Sequence, residues 1–330
     1  MEEFVDKAYG CLAAGLIGDS MGSPTENLEP DEISKRFGWV SDFEGDGTDD
    51  SMLKYLLCDA LLRTDGYATV DDWAQDWRAH RGAITRHGRF FISVLHTVRK
   101  LEYCSPRSAC VGNLPSSSSA MCIAPVGIVN AGHPRAAAMQ AQDLAGLIHT
   151  GEVSFCQDGA VAIAAAVAEA FSPHASVTSV LEASTAFLKP ESGRLMADLI
   201  RNALELAEEA GEYEAFRSAY HGSFRQAIAC DSRETVPAAL ALVKLAGGDI
   251  VKAVTYGANF GRDTDTIATM AGAICGALRG ASGIPKEWLE KVDRHASRNQ
   301  RELAAELVAV GKKKAENELR AWGLLAKAGA

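Results

Sequence analysis

A chain of 330 residues and 35.0 kDa is long enough for one large core or two modest ones. A hydrophobic fraction of 47% and a charged fraction of 23% are ordinary for a globular protein. The formal net charge of −10 argues against nucleic acid or an anionic membrane as the main partner, while leaving room for a small anionic ligand. No uninterrupted apolar run approaches the roughly 20 residues of a membrane span. The acidic start MEEFVDKAYG lacks the basic lead of a signal peptide.

Helix signals dominate from the start. Phe4, Ala8, Cys11, Leu12 and Leu16 recur at helical spacing over residues 4–17, and GLIGDSMGSPTEN reads as a helix end followed by a tight turn bearing Asp19 and Glu26. Residues 51–63 place Met52, Leu53, Leu56, Leu57, Ala60 and Leu61 on one broad face, with Gly66 as a stop. VDDWAQDWRAH has an acidic start and Trp73 and Trp77 one turn apart. The basic stretch from Arg78 to Arg89 reads as a solvated helix face and loop, or as a surface for an anionic substrate. SSSS at 116–119 is too short for a linker, and its apolar flanks suggest a packed loop.

QDGAVAIAAAVAEAF, DLIRNALELAEEAGEYEAFRSAY, VPAALALVKLAGG and TDTIATMAGAICGALRG all read as helical. The tail after residue 285 is a long amphipathic region, expected to break at Gly311 and to be a helical extension (286–330) packed on a domain spanning 1–285. Alternating strand patterns are almost absent, so the expected fold is all-α: a compact single-domain orthogonal multi-helix bundle. The eight cysteines include no CxxC, and the eight histidines form no HxxxH or HExxH. The thiols read as reduced residues of a cytoplasmic protein, and a zinc site has no support.

Two stretches share one design. Thr48, Asp49 and Asp50 stand before the helix at 51–63, and Asp263, Asp265 and Thr266 stand before the Gly/Ala-rich helix near 270. Each follows a glycine and puts oxygen atoms at a helix N-terminus, where free N–H groups favour carboxylates. Capping needs one oxygen, yet each cluster supplies two carboxylates and a hydroxyl. Adjacent buried carboxylates force one another to protonate unless a cation intervenes. Hard oxygen donors without Cys or His select Mg²⁺, Mn²⁺ or Ca²⁺. Brought together, the two clusters would hold two ions.

In this order, GDSMGSPTEN, TDDS and GRDTDTIATMAGAICGALRG resemble the motifs of the ADP-ribosylglycohydrolase family, over roughly residues 8–282. The resemblance implies an all-α domain with a central cleft and two divalent metal ions, Mg²⁺ or Mn²⁺, held by Thr48, Asp49, Asp50, Asp263, Asp265 and Thr266. It implies hydrolysis of the C1 glycosidic bond of ADP-ribosyl conjugates, with the ions gripping ribose hydroxyls and activating water. Glu26, Asp49 and Asp50 are the implied catalytic groups. The partner would be a small ribosyl molecule or an ADP-ribosylated protein, with oligomeric state open.

Departures from the pattern bear on the substrate. SSSSAMCIAPVG stands where the family often has a Gly-rich loop ending in Arg, so Ser118, Ser119, Ala120, Met121 and Cys122 form the matching segment, and Cys122 takes the place of that Arg. His149 matches a cleft histidine, and Arg262 stands where Gly is common. Losing a guanidinium removes a bidentate phosphate contact. A smaller N-riboside is therefore the rival substrate class, and a catalytically silent binding protein is a third reading.

Overall fold

The computed structural model describes residues 1–328, with no strand among them. The helices that position the site are α1 (Glu2–Gly22), α2 (Asp49–Arg63), α3 (Ala124–Val129), α4 (Phe155–Ala170), α5 (Ser232–Ala246), α6 (Ile250–Ala258), α7 (Thr264–Arg279) and α8 (Gln300–Ala328).

The centre is the pair α1 and α7. Both are buried on all sides, α1 from Ala8 to Gly22 and α7 from Thr264 to Ala277. Small residues allow the backbones to touch. A Cβ on Gly276 would lie 2.1 Å from the Gly10 carbonyl oxygen, and one on Gly22 would lie 2.4 Å from Asp265 Cα. Nothing larger than hydrogen fits there. Around this spine pack α6 and α5, while α4 and the 3₁₀ turn before it form an apolar stretch, Gly151–Ala170, of the length of a membrane span that is mostly buried in the core.

Three expectations change in detail. The first helix does not end before GDSMG. It runs through Asp19 and Ser20 to Gly22, and the turn begins with a 3₁₀ segment at Ser23–Thr25. The stretch 198–220 divides into Arg194–Ala210 and Tyr213–Ser223, because Gly211 takes a left-handed φ of 69° and ends the first helix. Gly311 does not break the tail. It sits within α8, where a Cβ would come within 3.2 Å of Val129 Cα and carbonyl oxygen, so this glycine serves close contact with α3. The tail itself begins with Lys286–His295. From α8, Leu303, Ala304, Leu307 and Val308 enter the core, whereas Leu319 and Trp322 are exposed. All eight cysteines are free thiols.

Candidate metal-binding active site

The turn between α1 and α7 is built from two threonines and two backbone bonds. Thr25 Oγ1 donates to the Ala258 carbonyl at 2.7 Å, and Thr264 Oγ1 donates to the Gly22 carbonyl at 2.9 Å. The Asn27 N–H donates to the Arg262 carbonyl (2.6 Å) and the Arg262 N–H to the Leu28 carbonyl (2.7 Å). Glu26 is thereby held beside the N-terminus of α7.

Asp19 organises the other cluster. Its carboxylate, fully buried in the last turn of α1, accepts from Thr48 N (2.9 Å), Thr48 Oγ1 (2.7 Å), Ser51 N (3.0 Å) and Ser51 Oγ (2.6 Å). This one carboxylate caps α2 from a distance of 29 residues and fixes the direction of Asp49 and Asp50. Beneath it lies Lys54, buried, its pKa pulled down by loss of solvent and pushed back up by the Asp19 charge.

The two clusters meet in a cleft of about 310 Å³ lined by Glu26, Asp49, Asp50, Asp263, Asp265 and Thr266. One carboxylate oxygen each of Glu26, Asp263 and Asp265 lie within 4.8 Å of one another. Every acid here is driven toward its protonated form. Burial, then the Asp19 charge, pushes Asp49 up to about 8, and burial, then Glu26, pushes Asp263 up to about 7. Asp50 and Asp265 rise well above the carboxylate range, by burial first and then by Asp19 and Asp263 respectively. Burial also raises Glu26, with Arg89 pulling it back.

These residues fit a divalent cation. The donors are all oxygens, and buried Asp50 Oδ2 has no hydrogen-bond partner among the described residues. Thr266 Oγ1 stands 3.9 Å from the Met121 sulfur, at the edge of the same acidic group. A cation would supply the missing partner and relieve the mutual repulsion. Thr48 is placed differently from its cluster mates. It does not line the cleft, and its hydroxyl donates to Asp19.

The serine loop divides into front and back. Ser117 Oγ lies 3.1 Å from Asp263 Oδ2 and 3.0 Å from the Cys230 carbonyl, and Ser117, Ser118 and Met121 line the cleft. Ser119, Ala120 and Cys122 have no exposed surface and lie behind that wall. His149 is also behind it. Its ring nitrogens lie 3.0 Å from Ser116 Oγ and 2.9 Å from Ser119 Oγ, and burial pulls its pKa down to about 3. This neutral imidazole braces the loop.

Arg262 turns away from the cleft. Its Nε and one terminal nitrogen donate to the two Glu234 carboxylate oxygens at 2.6 and 2.9 Å, and the same terminal nitrogen donates to the Gln226 carbonyl at 2.6 Å. Both partners are nearly buried. Its φ of 66° explains why glycine suits this position. The pair ties α7 to the segment whose Ile228, Ala229 and Cys230 form one cleft wall. Cys230 and Glu234 went unnoticed in sequence reading because no local pattern marks them, and Ser117, though inside the serine loop, was not singled out. Asp19 and Arg89 lay inside motifs that were visible.

An all-α domain whose buried carboxylates converge from two helix N-termini on one cleft is a scaffold for divalent-cation chemistry. The chain belongs to the ADP-ribosylglycohydrolase family, whose profile matches residues 1–317. Family membership supports a hydrolase of the glycosidic type. An uncharacterized protein of Archaeoglobus fulgidus is 28% identical over 304 residues, covering 86% of this chain and 91% of its own length. ADP-ribosylarginine hydrolase Tri1 of Pseudomonas putida is 27% identical over 322 residues, covering 92% and 79%. A solved structure described as an ADP-ribosylglycohydrolase-related protein complex superimposes with a TM-score of 0.69 at 19% identity, over 94% of this chain and 99% of that one, which supports the fold.

Proposed function

We propose that the chain is a metal-dependent glycohydrolase that cleaves the C1 glycosidic bond of ADP-ribosyl conjugates. The observation that carries this is the convergence of five carboxylates on one cleft, with an unpartnered buried oxygen on Asp50. Asp49, Asp50, Asp263, Asp265 and Thr266 would hold two divalent ions, Mg²⁺ or Mn²⁺, with Thr48 oriented by Asp19 at the edge of the set and Glu26 at the rim. Bound there, such ions supply a grip on the vicinal hydroxyls of ribose and acidify water.

The chain's own groups do the rest. Carboxylates that hold the ions would be ionised, whereas one at the rim, away from them, would keep the proton that a general acid needs. Asp49, the least buried aspartate of the two clusters, is suited to take a proton from attacking water, and Glu26 at the rim to deliver one to the leaving group. The remaining carboxylates stabilise the positive charge that grows at C1. Ser117 and Ser118 offer hydroxyls to the sugar or its substituent.

A second reading, hydrolysis of an N-riboside lacking a diphosphate, is supported by Cys122, a neutral thiol in the loop position where relatives often carry Arg. The two are separated by supplying an ADP-ribosylarginine protein and a panel of nucleosides with Mg²⁺ or Mn²⁺. The first predicts ADP-ribose release, abolished by EDTA and lowered on the order of 10³-fold in Asp265→Asn. Ribose release from nucleosides alone would favour the second. Wild-type rates in Asp265→Asn and Asp49→Asn would sink both.

A further inference from the structure

The cleft has five lining carboxylates and, among the described residues, one lining cation, Arg89. Two divalent ions held there would largely balance those carboxylates, so a phosphate at the rim still depends on a positive side chain for its recognition. The serine loop offers none, since Cys122 is neutral and fully buried. The basic run that precedes the cleft wall is mostly committed elsewhere. Arg78 Nε donates to the Leu101 carbonyl at 3.0 Å, and Arg81 pairs with Glu102.

Arg89 alone of that run reaches the cleft. One terminal nitrogen donates to Ser23 Oγ at 2.8 Å and stands 3.4 Å from Glu26 Oε2. Its Nε and second terminal nitrogen form no hydrogen bond among the described residues, and the side chain is 47% exposed. Gly88, at φ 78°, turns the chain just before it, and buried Phe90 anchors the segment just after it. The guanidinium is therefore placed at the rim, with one edge used by the protein and the other available.

We propose that Arg89 is the specificity-determining residue through which this cleft accepts a phosphorylated ribosyl substrate. The inference rests on the glycohydrolase reading above and adds the group that reads the phosphate. In a furanose the vicinal hydroxyls and the C5 substituent lie at opposite ends of the ring. With the hydroxyls turned toward Asp263 and Asp265, deeper in the cleft, a phosphate on C5 falls on the side of Glu26 and Arg89, at the rim. A guanidinium with a free edge meets it there as a two-pronged, charge-assisted donor. The contact with Glu26 keeps the side chain extended toward the cleft in the meantime.

The test is calorimetric binding of ribose, ribose 5-phosphate and ADP-ribose to the full chain with Mg²⁺. The wild type is expected to bind the two phosphorylated ligands about 10- to 100-fold more tightly than ribose. Arg89→Ala should bring all three within about 3-fold of one another, with the loss falling mainly on the phosphorylated ligands, and Arg89→Lys should restore part of the difference. The proposal is overturned if Arg89→Ala keeps the full preference, or if it loses ribose as severely as ribose 5-phosphate. Ribose binding by the wild type without any phosphate preference overturns this inference alone. Binding of none of the three overturns the glycohydrolase reading with it.

Discussion

The two acidic clusters look alike in sequence and are held in place by different physics. TDDS at 48–51 is fixed by side-chain hydrogen bonds. One buried carboxylate, Asp19, gathers four donors from Thr48 and Ser51 and sets the start of α2. RDTD at 262–265 is fixed by backbone contact. Gly22 lies against Asp265 so closely that a Cβ would sit 2.4 Å from its Cα, and the Arg262–Glu234 pair ties the approach to it. The same kind of ligand set can thus rest on polar or on steric support, and the two should fail in different ways.

The largest expected effect strikes the polar support. Asp19→Ala leaves the Thr48 and Ser51 donors buried and unpaired and removes the charge opposite Lys54, at a cost of about 3–5 kcal/mol. Asp19→Asn keeps an acceptor, so chemical denaturation should find it clearly less damaged. Gly22→Ala strikes the steric support, where no polar rescue exists. Overpacking there should cost about 1–3 kcal/mol and displace Asp265, so the protein should lose Mn²⁺-dependent thermal stabilisation even where it stays folded. If Gly22→Ala keeps that stabilisation intact, close packing is not what places Asp265.

Glu234→Gln should sharpen the comparison at an amplitude similar to that of Gly22→Ala. It keeps the shape and one acceptor but leaves Arg262 without its charge partner, costing about 1–3 kcal/mol by denaturant titration. The smallest effect concerns the loop behind the cleft. His149 is held neutral, with a folded pKa of about 3 against an unfolded value near 6.5. The unfolded chain therefore binds the extra proton first, and stability falls as pH drops from about 6.5 toward 3. That amounts to about 2 kcal/mol between pH 7 and 5. The raised carboxylates act in the opposite sense, stabilising the metal-free fold as pH falls, so the measurement is the difference between the wild type and His149→Gln. An equal pH dependence in both would remove His149 from this account.

Much of this was readable from residue order. The all-α fold follows from repeated 3.6-residue periodicity without alternating strands. Both acidic clusters were visible because two carboxylates exceed what a helix cap needs. The supports were not visible, because they act across long separations. Asp19 reads locally as the end of a helix, and Glu234 is one glutamate among many until Arg262 is found opposite it, 28 residues away. Gly311 misled for the same reason. A lone glycine in a helix reads as a stop, and only its contact with Val129 shows that it is there for clearance. His149 is a cleft residue by motif, and its place one layer back depends on which face of the serine loop it braces.

The backbone contact between α1 and α7 also has a consequence for how the molecule breathes. Segments that open easily have exposed backbone and few buried neighbours. These two helices have neither, since every residue from Ala8 to Gly22 and from Thr264 to Ala277 is buried. Amides between these buried residues are expected to exchange with solvent only when the whole domain unfolds, a result that hydrogen-exchange measurement would check. Glu26 follows closely on the end of α1, Asp19 lies inside it, and Asp265 sits in the first turn of α7. The spacing of these acids is therefore as slow to change as the fold itself, and thermal motion at the cleft is left to the rim, where Arg89 stands.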